Sequence, residues 1–249
     1  MNSPIEPDLP DWLRTARPDG PEAQWETWPY RTWKRDADLA AFVGAREAIE
    51  QVEDWWAIDD GCLRRRRLHD VAEGPILPWF VAVMAWGYGP SGLGAHRVAK
   101  ILRDTPDSVD RLTAIRASSL ESASAGWAAL FDRETAVKGL AASFGTKLVH
   151  FAGYNRVGAH PRPLILDENV AQGLRDAGVP LGSVWRHDDY LTYCDIAERW
   201  ASELAQSTGA PFGSDAIEFA LFGRGRDHGR LQRRDARIKE IGERSLRET

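Results

Sequence analysis

Apolar residues recurring every three or four positions, with no stretch that alternates them, constrain this chain more than any other feature. From Asp38 to Trp56, the residues Phe42, Ala45, Ile49, Val52 and Trp56 follow the helical period. Similar patterns predict helices over 76–86, 95–102, 107–115, 120–130, 132–140, 146–154, 168–177, 188–205 and 215–222. No segment shows strand alternation, so the expected fold is all-α. Residues 1–35 carry Pro4, Pro7, Pro10, Pro18, Pro21 and Pro29 together with Trp12, Trp25, Trp28 and Trp33. Such a stretch is expected to be irregular yet pinned on the core, because free disordered segments are poor in aromatics. A helical domain is then expected over 36–222, with a hairpin near 139–147, followed by a basic helix or tail over 223–249.

Within the expected helix 146–154, Lys147 stands in the first turn, where a cation opposes the positive end of the helix dipole at a cost of roughly 0.3–1 kcal/mol. Its neighbours Leu148, Val149 and Phe151 are apolar. Local rule-breaking of this kind tends to mark function. Asp167 follows 20 residues later, beyond a Pro-rich link and at the start of the next expected helix. Taken singly, Lys147 reads as a lysine snorkelling beside a core helix and Asp167 as an N-cap. Together they are a pair that N-glycosidic bond cleavage can use. An amine in an apolar setting sheds its proton more readily and can attack a sugar C1′, while a nearby carboxylate stabilises the oxocarbenium character that develops as the base leaves. The resulting imine permits β-elimination of the 3′-phosphate.

The stretch from Lys138 to Leu174, with Gly145-Thr146-Lys147 and then Asp167, resembles the helix-hairpin-helix DNA glycosylases, above all their 8-oxoguanine branch. The resemblance implies helical lobes around a base-binding cleft, Lys147 as nucleophile, Asp167 as catalytic carboxylate, and no cofactor. Its implied partner is double-stranded DNA with one modified base flipped out, contacted by Phe144, Gly145 and Thr146 of the hairpin. Phe151, four residues after Lys147 and so on its face of the helix, is implied as a pocket wall or else is plain core. One departure stands out. The family hairpin reads Leu-Pro-Gly-Val-Gly, whereas this chain has Leu140-Ala141-Ala142-Ser143-Phe144-Gly145, with serine replacing the first glycine. Serine tolerates a left-handed backbone less well than glycine. Two other functions stay open: a glycosylase that removes bulky bases such as glucosylated hydroxymethylcytosine from phage DNA in antiviral defence, and a DNA-binding module of this fold without turnover.

A net charge of −5 is unfavourable for binding phosphates, so its distribution matters. Over 223–249, nine basic residues (Arg224, Arg226, Arg230, Arg233, Arg234, Arg237, Lys239, Arg244 and Arg247) face five acidic ones, leaving that stretch at +4 and the rest at −9. Arg64 to Arg67 form a second basic block. Each block reads as a DNA contact or as a solvated face. Gly87, Gly89 and Gly92 spell a literal G-x-G-x-x-G, but the preceding residues read as helix and no βαβ pattern follows, so a dinucleotide site is not expected. A loop approaching a phosphate is the better reading, with Ser91, His96 and Arg97 beside it and Pro90, Ser91 or Leu93 available to fill the gap left by an extruded base. A further pocket wall is expected from Phe219 or Phe222, or from Trp86 or Tyr88, and His150 could face the DNA backbone. Cys62 and Cys194 stand far apart, and the six histidines lack ligand spacing, so neither a disulfide nor a metal site is expected. No run approaches about 18 apolar residues, and the chain is expected to be a cytoplasmic monomer.

Overall fold

The computed structural model describes residues 7–156, 158 and 160–247, with side chains up to Leu231. The order of helices is α1 (Tyr30–Arg35), α2 (Ala37–Ala40), α3 (Ala45–Ile58), α4 (Arg65–Asp70), α5 (Ile76–Tyr88), α6 (Gly94–Asp104), α7 (Ser108–Glu121), α8 (Ala123–Phe131), α9 (Ala142–Gly153), α10 (Glu168–Asp176), α11 (His187–Thr208) and α12 (Ser214–Arg247). A 3-10 turn spans Asp11–Thr15. Among the described residues the one sheet is a two-residue antiparallel ladder, β1 (Trp25–Glu26) on β2 (Leu63–Arg64), with Trp25 opposite Arg64 and Glu26 opposite Leu63. The fold is all-α. No helix among the described residues is long and apolar enough to cross a membrane.

Two buried cores organise these elements. The first gathers α3, α5, α6 and one side of α9 around α5, which is apolar on every face and buries Trp79, Phe80, Val81, Val83 and Met84. The second packs α10, α11 and the start of α12 with the extended residues Leu164 and Leu166, and Leu9 and Leu13 reach into it from the N-terminal segment. Helix α9 and the link after it lie where the cores meet. Near the second core, α10 and α12 approach backbone to backbone. A Cβ on Gly173 would lie 2.3 Å from the Leu221 carbonyl oxygen, and one on Gly225 would lie 1.9 Å from that of Asn169.

Several elements differ from the sequence expectation. The helix expected over Asp38–Trp56 is broken in two by Gly44, whose φ of +79° no helix accommodates. Residues 132–140 are not helical. There the Asp132 carboxylate accepts the Glu134 N–H (2.8 Å) and the Thr135 hydroxyl donates to the Ala129 carbonyl (2.7 Å), so local side-chain bonds outcompete the helical pattern. Helices α1 and α4 were not foreseen, the first lying inside the segment expected to be irregular. Helix α12 runs on to Arg247, far beyond the expected 215–222. The side chains of Arg233, Arg234, Arg237, Lys239, Arg244 and Arg247 lie outside the described residues.

Candidate active site

Lys147 reaches its position through a helix, a turn and a second helix. Helix α8 is capped by the Ser122 hydroxyl, which accepts the Ala125 N–H at 3.0 Å. The chain reverses through Gly139, held at φ +85°, and re-enters a helix at Ala142. Ser143, Phe144 and Gly145 of the expected hairpin therefore lie in the first turn of α9, and Lys147 sits in the second turn. The dipole cost assigned to it lapses, since that effect fades beyond the first turn. Ser143 needs no left-handed backbone either, because it takes helical dihedrals where the family hairpin has glycine. The absence of a side chain at Gly145 lets α9 close on α8: a Cβ there would lie 2.7 Å from Leu130.

Asp167 is placed by a different device. The extended residues before it are pinned on both sides. Tyr190 exchanges hydrogen bonds with the backbone of Leu164 (3.2 and 3.0 Å), Tyr193 donates to the Ile165 carbonyl (3.0 Å), and the Thr146 hydroxyl accepts the Leu166 N–H (3.0 Å). Asp167 then caps α10, its Oδ1 accepting the N–H groups of Asn169 and Val170, both at 3.1 Å. That division of labour leaves Oδ2 for Lys147, whose Nζ donates to it at 2.8 Å and to the Ser143 carbonyl at 3.1 Å. The Phe144 ring centroid lies 5.4 Å from the same Nζ. Lys147 is 5% exposed and Asp167 8%, so the ion pair is largely withdrawn from water.

Both groups line a cavity of about 140 Å³. Gly87 of α5 makes room for the lysine stem, since a Cβ there would lie 2.7 Å from the Phe144 ring and 3.1 Å from Lys147 Cδ. Trp86 and Phe222 supply aromatic surface, while Gln24, Glu26, Asn169 and Glu218 supply polar groups. The ladder of β1 on β2 delivers Gln24 and Glu26, and the Gln24 carbonyl accepts the Arg65 N–H at 2.9 Å. Arg65 is 2% exposed. Its guanidinium pairs with both oxygens of Glu218, donates to Gln24 Oε1 (3.0 Å) and lies 2.8 Å from His150 Nε2. Since arginine only donates, Nε2 accepts, and Nδ1 carries the proton given to the Pro163 carbonyl (2.9 Å). Burial holds His150 well below the usual imidazole range, and nearby Arg65 adds to the effect. Burial also pushes the carboxyls of Glu26 and Glu218 up, against the pull of Arg226 on the first and Arg65 on the second.

Residues 19–222 match the family model described as "Putative 8-oxoguanine DNA glycosylase OGG-like protein". The chain belongs to that family. No curated protein and no solved structure matches it. A family of this kind implies binding to DNA.

In this OGG-like protein, the residues singled out in the sequence fall into distinct places. Trp86 and Phe222 line the cavity beside Lys147 and Asp167. Phe151 does not: it is fully buried and packs edge-on behind Trp86, with ring centroids 5.2 Å apart. Tyr88 lies outside the lining and stacks on Phe144 at 4.3 Å. Gly145 and Thr146 are buried between helices, so neither presents a side chain to DNA, and Phe144 is half-buried. His150 is wholly buried and faces Arg65 rather than the surface. On the glycine loop, Ser91 Oγ accepts the Leu93 N–H (3.3 Å), Leu93 is exposed, and His96 and Arg97 are exposed on the first turn of α6, with His96 lying 3.9 Å from Asp38. The Arg64 to Arg67 block is divided: Arg65 is buried, Arg67 pairs with Asp59 (2.9 Å), and Arg66 is exposed near Asp70. Sequence reading took Gly87 only as part of a glycine loop and missed Gln24, Glu26, Ile165, Asn169 and Glu218. Ile165 and Asn169 flank Asp167, whereas Gln24, Glu26 and Glu218 carry no local signal, because they reach the cavity only through contact across long stretches of chain.

Proposed function

We propose that the protein is a DNA glycosylase with associated AP lyase activity, using Lys147 as nucleophile and Asp167 as the carboxylate that serves it. The observation behind this reading is the 2.8 Å contact from Lys147 Nζ to Asp167 Oδ2, buried yet bordering a cavity with aromatic and polar walls. A flipped base in that cavity would find stacking surface on Trp86 and Phe222 and hydrogen-bonding groups on Gln24, Glu26 and Asn169. Unpairing and unstacking the nucleotide costs a few kcal/mol, which such contacts offset.

The ammonium passes a proton to Asp167, and the neutral amine attacks C1′. The Nζ–C1′ bond forms as the C1′–N bond breaks, and the bonding electron pair leaves with the base, which takes the proton from Asp167. Once ionised again, the carboxylate faces the positive charge now carried by Nζ. Nζ gives up a proton to O4′ as the C1′–O4′ bond breaks with its electron pair going to O4′, and the Nζ lone pair closes the protonated imine to C1′. The carboxylate then takes a C2′ proton, the released pair forms the C2′=C3′ double bond, and the C3′–O bond breaks with its pair leaving on the 3′-phosphate. The alternative of a DNA-binding module without turnover has no use for a lysine and an aspartate paired at a cavity wall. An 8-oxoguanine-like base is favoured by the family that the chain belongs to.

Borohydride trapping tests this. Purified protein is incubated with duplexes carrying 8-oxoguanine, uracil, alkylated purines or glucosylated hydroxymethylcytosine. A covalent protein–DNA adduct on the cognate lesion, lost in Lys147→Ala, is expected. An adduct of undiminished yield in that variant would move the nucleophile elsewhere.

A further inference from the structure

A second concavity, of about 410 Å³, lies between the N-terminal segment and α12. Its floor is largely apolar, with Trp12 on one side and Phe219 and Phe222 on the other, and Arg17, Arg224 and Arg226 stand along it. No carboxylate is among its lining residues, although the whole chain carries a net charge of −5. Two of the arginines lie over aromatic rings: Arg224 Cζ is 5.5 Å from the Trp12 ring centroid and Arg226 Cζ 5.7 Å from that of Phe222. Phe222 also lines the cavity that holds Lys147 and Asp167, so the two spaces share a wall.

We infer that this groove is a track for the DNA strand flanking the extruded nucleotide, held there unpaired. The inference rests on the glycosylase reading only in that the neighbouring cavity takes the target base. Aromatic surfaces alone would suit an apolar peptide. Guanidinium groups interleaved with them fit a chain of phosphates and bases, since phosphates meet the arginines while bases stack on the rings. Arg17 pairs at 3.0 Å with the exposed Asp19, and an exposed pair of this kind is weak and can exchange a carboxylate for a phosphate. Arg224 instead pairs at 3.1 Å with Asp176, whose side chain is largely buried. Because Phe222 borders both spaces, the groove begins beside the cavity that a flipped base would leave the strand to enter. The enzyme thereby gains affinity for unpaired flanking sequence, in addition to the target base.

The test is fluorescence anisotropy on a labelled strand of about 12 thymidines, within the span of known single-strand sites, with a blunt duplex for comparison. It is run in the Lys147→Ala background as well as in the wild type, over a salt series. Arg17→Glu/Arg226→Glu is expected to weaken single-strand binding at least tenfold. It should also flatten the dependence of log affinity on log salt by about 1.4, since each lost contact to a single strand removes about 0.7. Phe219→Ala should weaken binding while keeping the salt slope, and circular dichroism confirms that each variant folds. Unchanged affinity and slope in both variants would overturn the proposal. So would a dimer in sedimentation that Phe219→Ala abolishes, which would give the groove to a second copy of the chain. If no borohydride adduct forms on any lesion but the single strand still binds through Arg17 and Arg226, the glycosylase reading fails and the groove survives.

Discussion

The Thr146 hydroxyl accepts the backbone N–H of Leu166 at 3.0 Å and donates to the Ala142 carbonyl at 2.9 Å, tying helix α9 to the extended link. Each of the two residues immediately precedes a member of the ion pair, so this hydrogen bond, together with the Tyr190 and Tyr193 bonds to the link, sets how closely Lys147 and Asp167 approach. Thr146→Val keeps the shape and removes the acceptor. A buried N–H left without a partner costs about 1–3 kcal/mol, and a loss of that size is expected in chemical denaturation. Excision per folded molecule should fall as well, and Thr146→Ser should restore both. A Val variant that excises at the wild-type rate would make Thr146 a stability device alone.

Gly87 lies where α5 passes the lysine stem. In Gly87→Ala the new methyl would meet the Phe144 ring at 2.7 Å and Lys147 Cδ at 3.1 Å. Overpacking of this kind costs roughly 1–3 kcal/mol. The displaced atoms belong to Lys147, so single-turnover excision should fall more steeply than the loss of folded protein explains. Equal losses in rate and folded fraction would remove Gly87 from any positioning role.

Asp167 can be separated into cap and partner. In Asp167→Asn the amide oxygen still accepts from Asn169 and Val170, since Asn caps about as well as Asp. Lys147 then keeps only the Ser143 carbonyl. The loss of stability should stay below the roughly 3–5 kcal/mol of a broken buried ion pair, because the cap survives and the Ser143 carbonyl still accepts from the amine. Excision should drop roughly 10²- to 10³-fold, the range for removing one preorganised electrostatic group. A variant that melts like wild type and excises at the wild-type rate would leave Asp167 a cap only.

Acid should destabilise the protein through two histidines. Burial, and then Arg65, hold His69 at about 3 and His150 well below the ordinary value of 6.5. Both are neutral when folded and take up protons when unfolded, so their stabilisation is complete above the unfolded value. It is lost as pH falls from there toward the folded value, at about 1.4 kcal/mol per pH unit for each group. Glu26 and Glu218, whose carboxyls burial raises, act in the opposite sense. Urea midpoints measured from neutral pH down to about pH 4 should decline for wild type and decline less for His69→Phe, which removes one of the two protons. Parallel curves would mean that His69 does not titrate on unfolding.

What the chain reveals without its fold is whatever neighbours in sequence decide. The period of α3, the N-cap of α10 by Asp167 and the all-α class rest on contacts within a few residues, and each is visible in a string of letters. The 20 residues from Lys147 to Asp167 also show, because one helix and one extended link between them leave little freedom in their separation. Even locally, the periodic reading fails where side chains compete for the backbone, as Asp132 and Thr135 do ahead of α9.

The cavity was decided only by the tertiary structure. Arg65 reads as one of four consecutive arginines that form a DNA contact or a solvated face, yet it is buried because Glu218, 153 positions away, and Gln24, 41 positions away, converge on it. Phe151 reads as a pocket wall or as plain core, because sharing a helix face with Lys147 does not say which other element will cover it, and Trp86 does. Long-range contacts of this kind arise from the joint packing of both cores. A charge or an aromatic ring is assigned to site, core or surface only when residues from distant parts of the chain have closed around it.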